Sequence, residues 1–120
     1  MLFRNLLRIQ EAPLGPLGTV NLLYAWGLND EGQLGLNDLI TRSSPVQVGS
    51  LSWTSVSAGR NHTMAIRSDN TLWAWGSNSE GQLGQNNLTT RSSPVQVGTS
   101  SWTSVSAGGT HTMAINLVDS

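Results

Sequence analysis

From residue 19 onward, apolar residues come in short alternating bursts, each closed by glycine, asparagine or proline. Leu72-Trp73-Ala74-Trp75 is the clearest burst and is matched by Leu23-Tyr24-Ala25-Trp26. A period of two places Trp73 and Trp75 on one face of a strand, Leu72 and Ala74 on the other. Both faces are apolar, so both need cover. Val46-Gln47-Val48 is a second, shorter strand candidate. Ser55-Val56-Ser57-Ala58 and Thr63-Met64-Ala65-Ile66 are two more, flanking a tight turn at Gly59-Arg60-Asn61. Ser68-Asp69-Asn70 reads as another hairpin turn, and Asn29 to Gly35 as a longer, glycine-punctuated loop.

The bursts repeat. Trp26-Gly27 returns as Trp75-Gly76, Pro45 to Gly49 as Pro94 to Gly98, Trp53 as Trp102, and His62 to Ile66 as His111 to Ile115. Every pair is offset by 49 residues, with no insertion or deletion. Between Ala25 and Ile66 only nine positions differ from their counterparts: Leu28, Asp30, Leu36, Asp38, Ile40, Ser50, Leu51, Arg60 and Asn61. Such identity is the mark of a recent duplication. Four short strands in a unit of this length match one blade of a β-propeller. The expected fold class is therefore all-β, built of four-stranded antiparallel blades, about two per chain. One blade cannot bury both of its faces alone. Small residues at Ala58, Gly59 and Ala65 let stacked blades approach closely.

The division expected along the chain is an N-terminal arm and Pro/Gly linker at 1–18, then propeller repeats at 19–120. The repeats divide into a half-blade at 19–49, a full blade at 50–98 and a half-blade at 99–120. The last supplies the first half of a blade and the first supplies the second half. Two blades cannot close a ring, so the expected partner is a second copy of the chain, joined head to tail. Six blades would make a trimer and eight a tetramer. The rival expectation is a segment of a longer propeller. In the arm, Leu2, Leu6 and Ile9 share one helical face with Phe3 and Leu7 beside them. It is read either as a plain tail or as a docking arm.

Composition narrows the chemistry. Lysine is absent, and the six cations, all arginine, are spread thinly at Arg4, Arg8, Arg42, Arg60, Arg67 and Arg91. That leaves no basic face for nucleic acid. There is no cysteine, which removes disulfides and thiolate chemistry. No apolar run approaches the ~20 residues of a membrane-spanning helix.

The pattern Trp-x-x-Val-Ser-Ala-Gly-x-x-His-Thr-Met-Ala-Ile (Trp53 to Ile66), then Leu-Trp-Ala-Trp-Gly-x-Asn-x-x-Gly-Gln-Leu-Gly (Leu72 to Gly84), then Pro-Val-Gln-Val (Pro94 to Val97) resembles the repeat of the regulator of chromosome condensation family. The resemblance covers nearly everything from Leu23 onward. It implies a propeller, seven-bladed in full-length members, and little about function, because members do different jobs. The nuclear founder is a nucleotide-exchange factor that binds nucleosomes, and its insertions have no counterpart here. A plant ultraviolet-B photoreceptor in the family carries a chromophoric tryptophan where this chain has Arg60 and Gly109. In a secreted bacterial β-lactamase inhibitor that also resembles the pattern, the propeller is a protein-binding surface.

No catalytic, cofactor or metal site is expected. His62 and His111 occupy equivalent places in successive units with no cysteine or adjacent carboxylate, too few ligands for a metal. The loop containing Asp30, Glu31 and Asp38 lacks the dense oxygen ligands that calcium needs. The positions that changed after duplication are the better guide to a surface. Leu28, Leu36 and Ile40 are more apolar than their counterparts, and Arg60, Asn61 and Thr110 occupy turn tips; these six form the candidate interaction surface. The expected function is a non-enzymatic interaction or structural module that closes as a trimeric or tetrameric ring and presents loops to an unidentified protein partner. Alternatives are a component of a larger particle, such as a virion or surface appendage, anchored by the arm, and a glycan-binding lectin.

Overall fold

A computed structural model of the chain describes residues 19–118, and all its regular structure is β-strand. The arm residues Leu2, Phe3, Leu6, Leu7 and Ile9 lie outside the described residues. The strands are β1 (Tyr24–Gly27), β2 (Arg42–Gln47), β3 (Trp53–Ala58), β4 (His62–Arg67), β5 (Leu72–Gly76), β6 (Arg91–Gln96), β7 (Ser101–Ala107) and β8 (Thr112–Leu117). They form three antiparallel sheets in chain order: β1-β2, then β3-β4-β5-β6, then β7-β8.

Local chemistry explains each strand's limits. β2 and β6 begin at Arg42 and Arg91, earlier than the Val-Gln-Val alternation indicates, and run through Pro45 and Pro94. Proline has no N–H to donate, so it is tolerated only where one side of the strand is unpaired. Both strands are the last of their sheets. The β4–β5 hairpin turns through Asn70, whose φ of 70° is open to asparagine at little cost. Asp69 Oδ1 accepts from the Thr71 N–H and hydroxyl and pins the turn. β5 ends at Gly76, with φ 104°, where a Cβ would lie 2.6 Å from the Asn61 carbonyl oxygen. Only glycine closes that strand so near the β3–β4 turn.

The central strands β4 and β5 are buried on both faces, as the two-sided apolar pattern requires. Met64, Ile66, Leu72, Ala74 and Leu83 pack toward β7–β8, against Trp102, Val105, Ala107 and Ala114. Trp53, Ala65 and Trp75 pack on the opposite face, with Leu23, just before β1, beside them. Trp53 and Trp75 meet edge to face, centroids 5.8 Å apart. The Arg67 guanidinium lies 3.6 Å from the Trp73 ring centroid and 5.0 Å from that of Trp53.

The long loops are held from inside. Asn78 is fully buried; its amide donates to the Asn87 and Thr89 carbonyls, and its Oδ1 accepts from Leu83 N–H. Asn29 makes the equivalent bonds to Asp38, Ile40 and Leu34. A buried amide with all its groups satisfied fixes one loop conformation.

Candidate functional site

The chain presents two unfinished half-sheets, and the repeat supplies an internal control for each. Met64 and Met113 are the same residue in the same strand of successive repeats, yet Met64 is 1% exposed and Met113 67%. Ile66 and Ile115 stand at 2% and 62%, Trp75 and Trp26 at 1% and 58%. Sequence is identical within each pair, so the difference is the missing neighbour. Among the described residues, β8 has no strand on its outer side where β4 has β5, and β1 has none where β5 has β4.

Two clefts open at these edges. One of about 240 Å³ lies beside β1, lined by Leu23, Ala25, Leu34, Val56 and Ala58. The other, about 400 Å³, lies between the central sheet and β7–β8, lined by Gln82, Gly84, Trp102, Thr112 and Ala114.

Between finished neighbours, the sheets are clasped by a polar chain at the turn that opens β4. His62 is 1% exposed, and its Nε2 is 3.0 Å from Thr112 Oγ1. The Thr112 hydroxyl donates to the Gln82 carbonyl at 2.8 Å, so it accepts from His62. That assigns the proton to Nε2 and leaves buried Nδ1 without a partner. Burial pushes the His62 pKa below the usual histidine value; the nearby His111 backbone opposes this and the His111 charge reinforces it. Gly59 roofs the imidazole: a Cβ there would sit 2.3 Å from His62 Cε1 and 2.6 Å from the Gly108 carbonyl oxygen. The clasp is open at both ends of the array. His111 is exposed, and Thr63, bonded to the Gln33 carbonyl at 2.7 Å, has no histidine before it among the described residues. His62 is thus held within the clasp, and among the described residues no group of three His, Cys, Asp or Glu side chains is placed to hold a metal ion.

The six candidate surface residues are scattered. Leu28 and Ile40 are exposed at 57% and 60%, and Leu36 is half-buried on the same β1–β2 loop. Arg60 and Thr110 are exposed at turn tips; Asn61 is half-buried, its carbonyl accepting from Ser77 N–H. Asp38 is occupied by Arg42, 2.7 Å away. The residues at the open edges, Trp26, Met113 and Ile115, are missed by looking only at positions that changed. Their signal is the reverse: unchanged copies of core residues placed in half-blades. Among the described residues no helix is long and apolar enough to cross a membrane.

Comparison with known proteins agrees with this architecture. The structure superposes on that of human WBSCR16 with a TM-score of 0.71 at 20% identity, covering 82% of this chain and 27% of that one. For Kap60 bound to yeast RCC1 (Prp20) the values are 0.67, 25%, 80% and 24%. For Prp20p from Saccharomyces cerevisiae, studied for its binding to Gsp1p and histones, they are 0.68, 18%, 86% and 29%. The chain thus spans about a quarter of the length of these solved structures. No curated protein is significantly similar. The regulator of chromosome condensation (RCC1) repeat model matches residues 21–66 and 69–115, and a second model of that repeat matches 53–82. With two adjacent repeats covering most of its length, the chain belongs to the regulator of chromosome condensation repeat family of β-propellers.

Proposed function

We propose that this chain is a non-enzymatic interaction module that works as a closed propeller, its ring completed head to tail by further copies of itself. The observation that carries this reading is the contrast between Met64, buried, and Met113, exposed, in otherwise identical strands. Burying a side chain of this size contributes about 1.5–3 kcal/mol. Each joint has several to gain, with Met113, Ile115 and Trp26 all exposed by more than half. Two units per chain make a trimer of six blades or a tetramer of eight. A propeller of this family has been solved with a protein bound, Kap60 on yeast RCC1 (Prp20), which supports a protein-binding role. The surface left for a partner is the rim of β1–β2 and β5–β6 loops, where Leu39, Ile40 and Leu88 are exposed at 60%, 60% and 66%. Four of the five tryptophans are unsuited to a glycan platform, Trp53 and Trp75 being buried and Trp73 and Trp102 half-buried, and the exposed fifth, Trp26, is assigned to the joint between copies. Sedimentation equilibrium tests the reading. A single species of three or four chains is expected; a folded monomer at micromolar concentration contradicts it.

A further inference from the structure

Resting on that ring reading, we infer that each joint is a reciprocal pair of plugs between two copies of this chain. Trp26 of one copy fills the larger cleft, beside β7 of the preceding copy. Met113 and Ile115 of that preceding copy fill the smaller cleft, beside β1, and β8 pairs with β1 in the register that β4 makes with β5.

The finished contacts within one chain are the template. Trp75 packs on Trp53, lies against Gly35 and donates from Nε1 to the Gln33 carbonyl at 2.9 Å. The larger cleft is lined by the counterpart of each: Trp102 for Trp53, Gly84 for Gly35, Gln82 for Gln33. It is built for an indole, and Trp26, the counterpart of Trp75, stands exposed at the other end of the chain. The smaller cleft reads the same way. In the finished core, Met64 and Ile66 join Leu72, Ala74 and Leu83 against Val105 and Ala107. The smaller cleft holds Leu23, Ala25, Leu34, Val56 and Ala58, the counterparts of the last five, and lacks only the methionine and isoleucine.

The polar contacts extend the match. Ser77 N–H donates to the Asn61 carbonyl at 2.8 Å, so Leu28 N–H meets the Thr110 carbonyl of the preceding copy. The His62–Thr112 clasp predicts His111 of one copy on Thr63 of the next. A second copy, rather than an unrelated protein, is the occupant because the joint continues an interface the chain already makes with itself, side chain for side chain.

Cysteine pairs test the register, since the chain has no cysteine of its own. Met64 lies opposite Ala74. The bonds Ser77 N–H to Asn61 and Arg67 N–H to Thr71 fall on alternate pairs, so Met64–Ala74 is a non-hydrogen-bonded pair, whose side chains approach most closely. The inferred counterpart across the joint is Met113–Ala25. The full chain carrying Ala25→Cys and Met113→Cys, mildly oxidised, is expected to give a non-reducing ladder ending at a closed species of the same copy number as the native particle. Leu23→Cys with Ile115→Cys should do the same and guards against a folding defect in the first pair. Ala25→Cys with Ala114→Cys, on opposite faces, should not cross-link. A ring that persists by mass while both matched pairs fail, or while the Ala114 pair links, overturns the register and leaves the ring reading standing. A monomer by mass overturns both.

Discussion

At the scale of single residues, the duplication separates side chains that hold the fold from those that merely occupy it. Asn78 anchors a loop through buried bonds to Asn87, Thr89 and Leu83, and Asn29 does so in the first repeat. Truncating Asn78 to Ala leaves several buried groups unpaired, and a loss of about 2–4 kcal/mol is expected in urea melts. The Asp38–Arg42 ion pair is half-exposed and has no equivalent in the second repeat, where Asn87 replaces the carboxylate. Asp38→Asn should therefore cost under ~1 kcal/mol by the same melts. His62 gives the chain a pH dependence. Its pKa is lowered by burial, so the unfolded chain binds the proton first as pH falls. Stability is full above the ordinary histidine value of about 6.5 and declines as pH drops through it toward the lowered value. His111, the titratable neighbour on the adjacent sheet, adds repulsion once charged. Proton NMR should show His62 titrating below the ordinary value, and melting at pH 5 should occur at lower temperature than at pH 8. A His62 titrating at or above the ordinary value contradicts the assigned neutral clasp.

At the scale of strands and sheets, identical residues carry different energies because of what stands beside them. Met64→Ala opens a hole in a closed core and should cost about 2–5 kcal/mol of chain stability. Met113→Ala, the same change one repeat later, removes an exposed side chain. It should alter the stability of the isolated chain by less than about 0.5 kcal/mol while weakening self-association. Equal costs in dilute chain would show that the β7–β8 face is already covered. Much of this level was legible in the sequence. The Leu-Trp-Ala-Trp alternation predicts a strand covered on both faces, and the two cores on either side of β5 are that cover. The turns at Gly59 and Asn70 follow from glycine and asparagine chemistry. The start of β2 did not follow, because a proline within the run disfavours a strand unless the partner on one side is known to be absent. The clasp was also hidden. His62 and Thr112 are 50 residues apart, and nothing local says that one accepts from the other.

At the scale of the whole molecule, the chain belongs to a propeller family yet spans about a quarter of the length of the propellers it superposes on. Its period could be read from the repeat offset, and its family from the motifs at Trp53 to Ile66, Leu72 to Gly84 and Pro94 to Val97. The surface residues could not, since the six positions chosen for their variation scatter over loop and turn tips, whereas Trp26, Met113 and Ile115, unchanged from their buried counterparts, stand exposed at the sheet edges. Those positions are complementary: a methionine and an isoleucine on one edge, a cleft lacking them on the other. A closed ring of identical chains satisfies every edge at once and leaves no strand unpaired for open-ended growth. Native mass spectrometry of the full chain tests this most directly. The ring predicts one dominant species at three or four times the 12.8 kDa chain mass, without a ladder of longer assemblies. A folded species at the mass of one chain, persisting as concentration is raised, would contradict it.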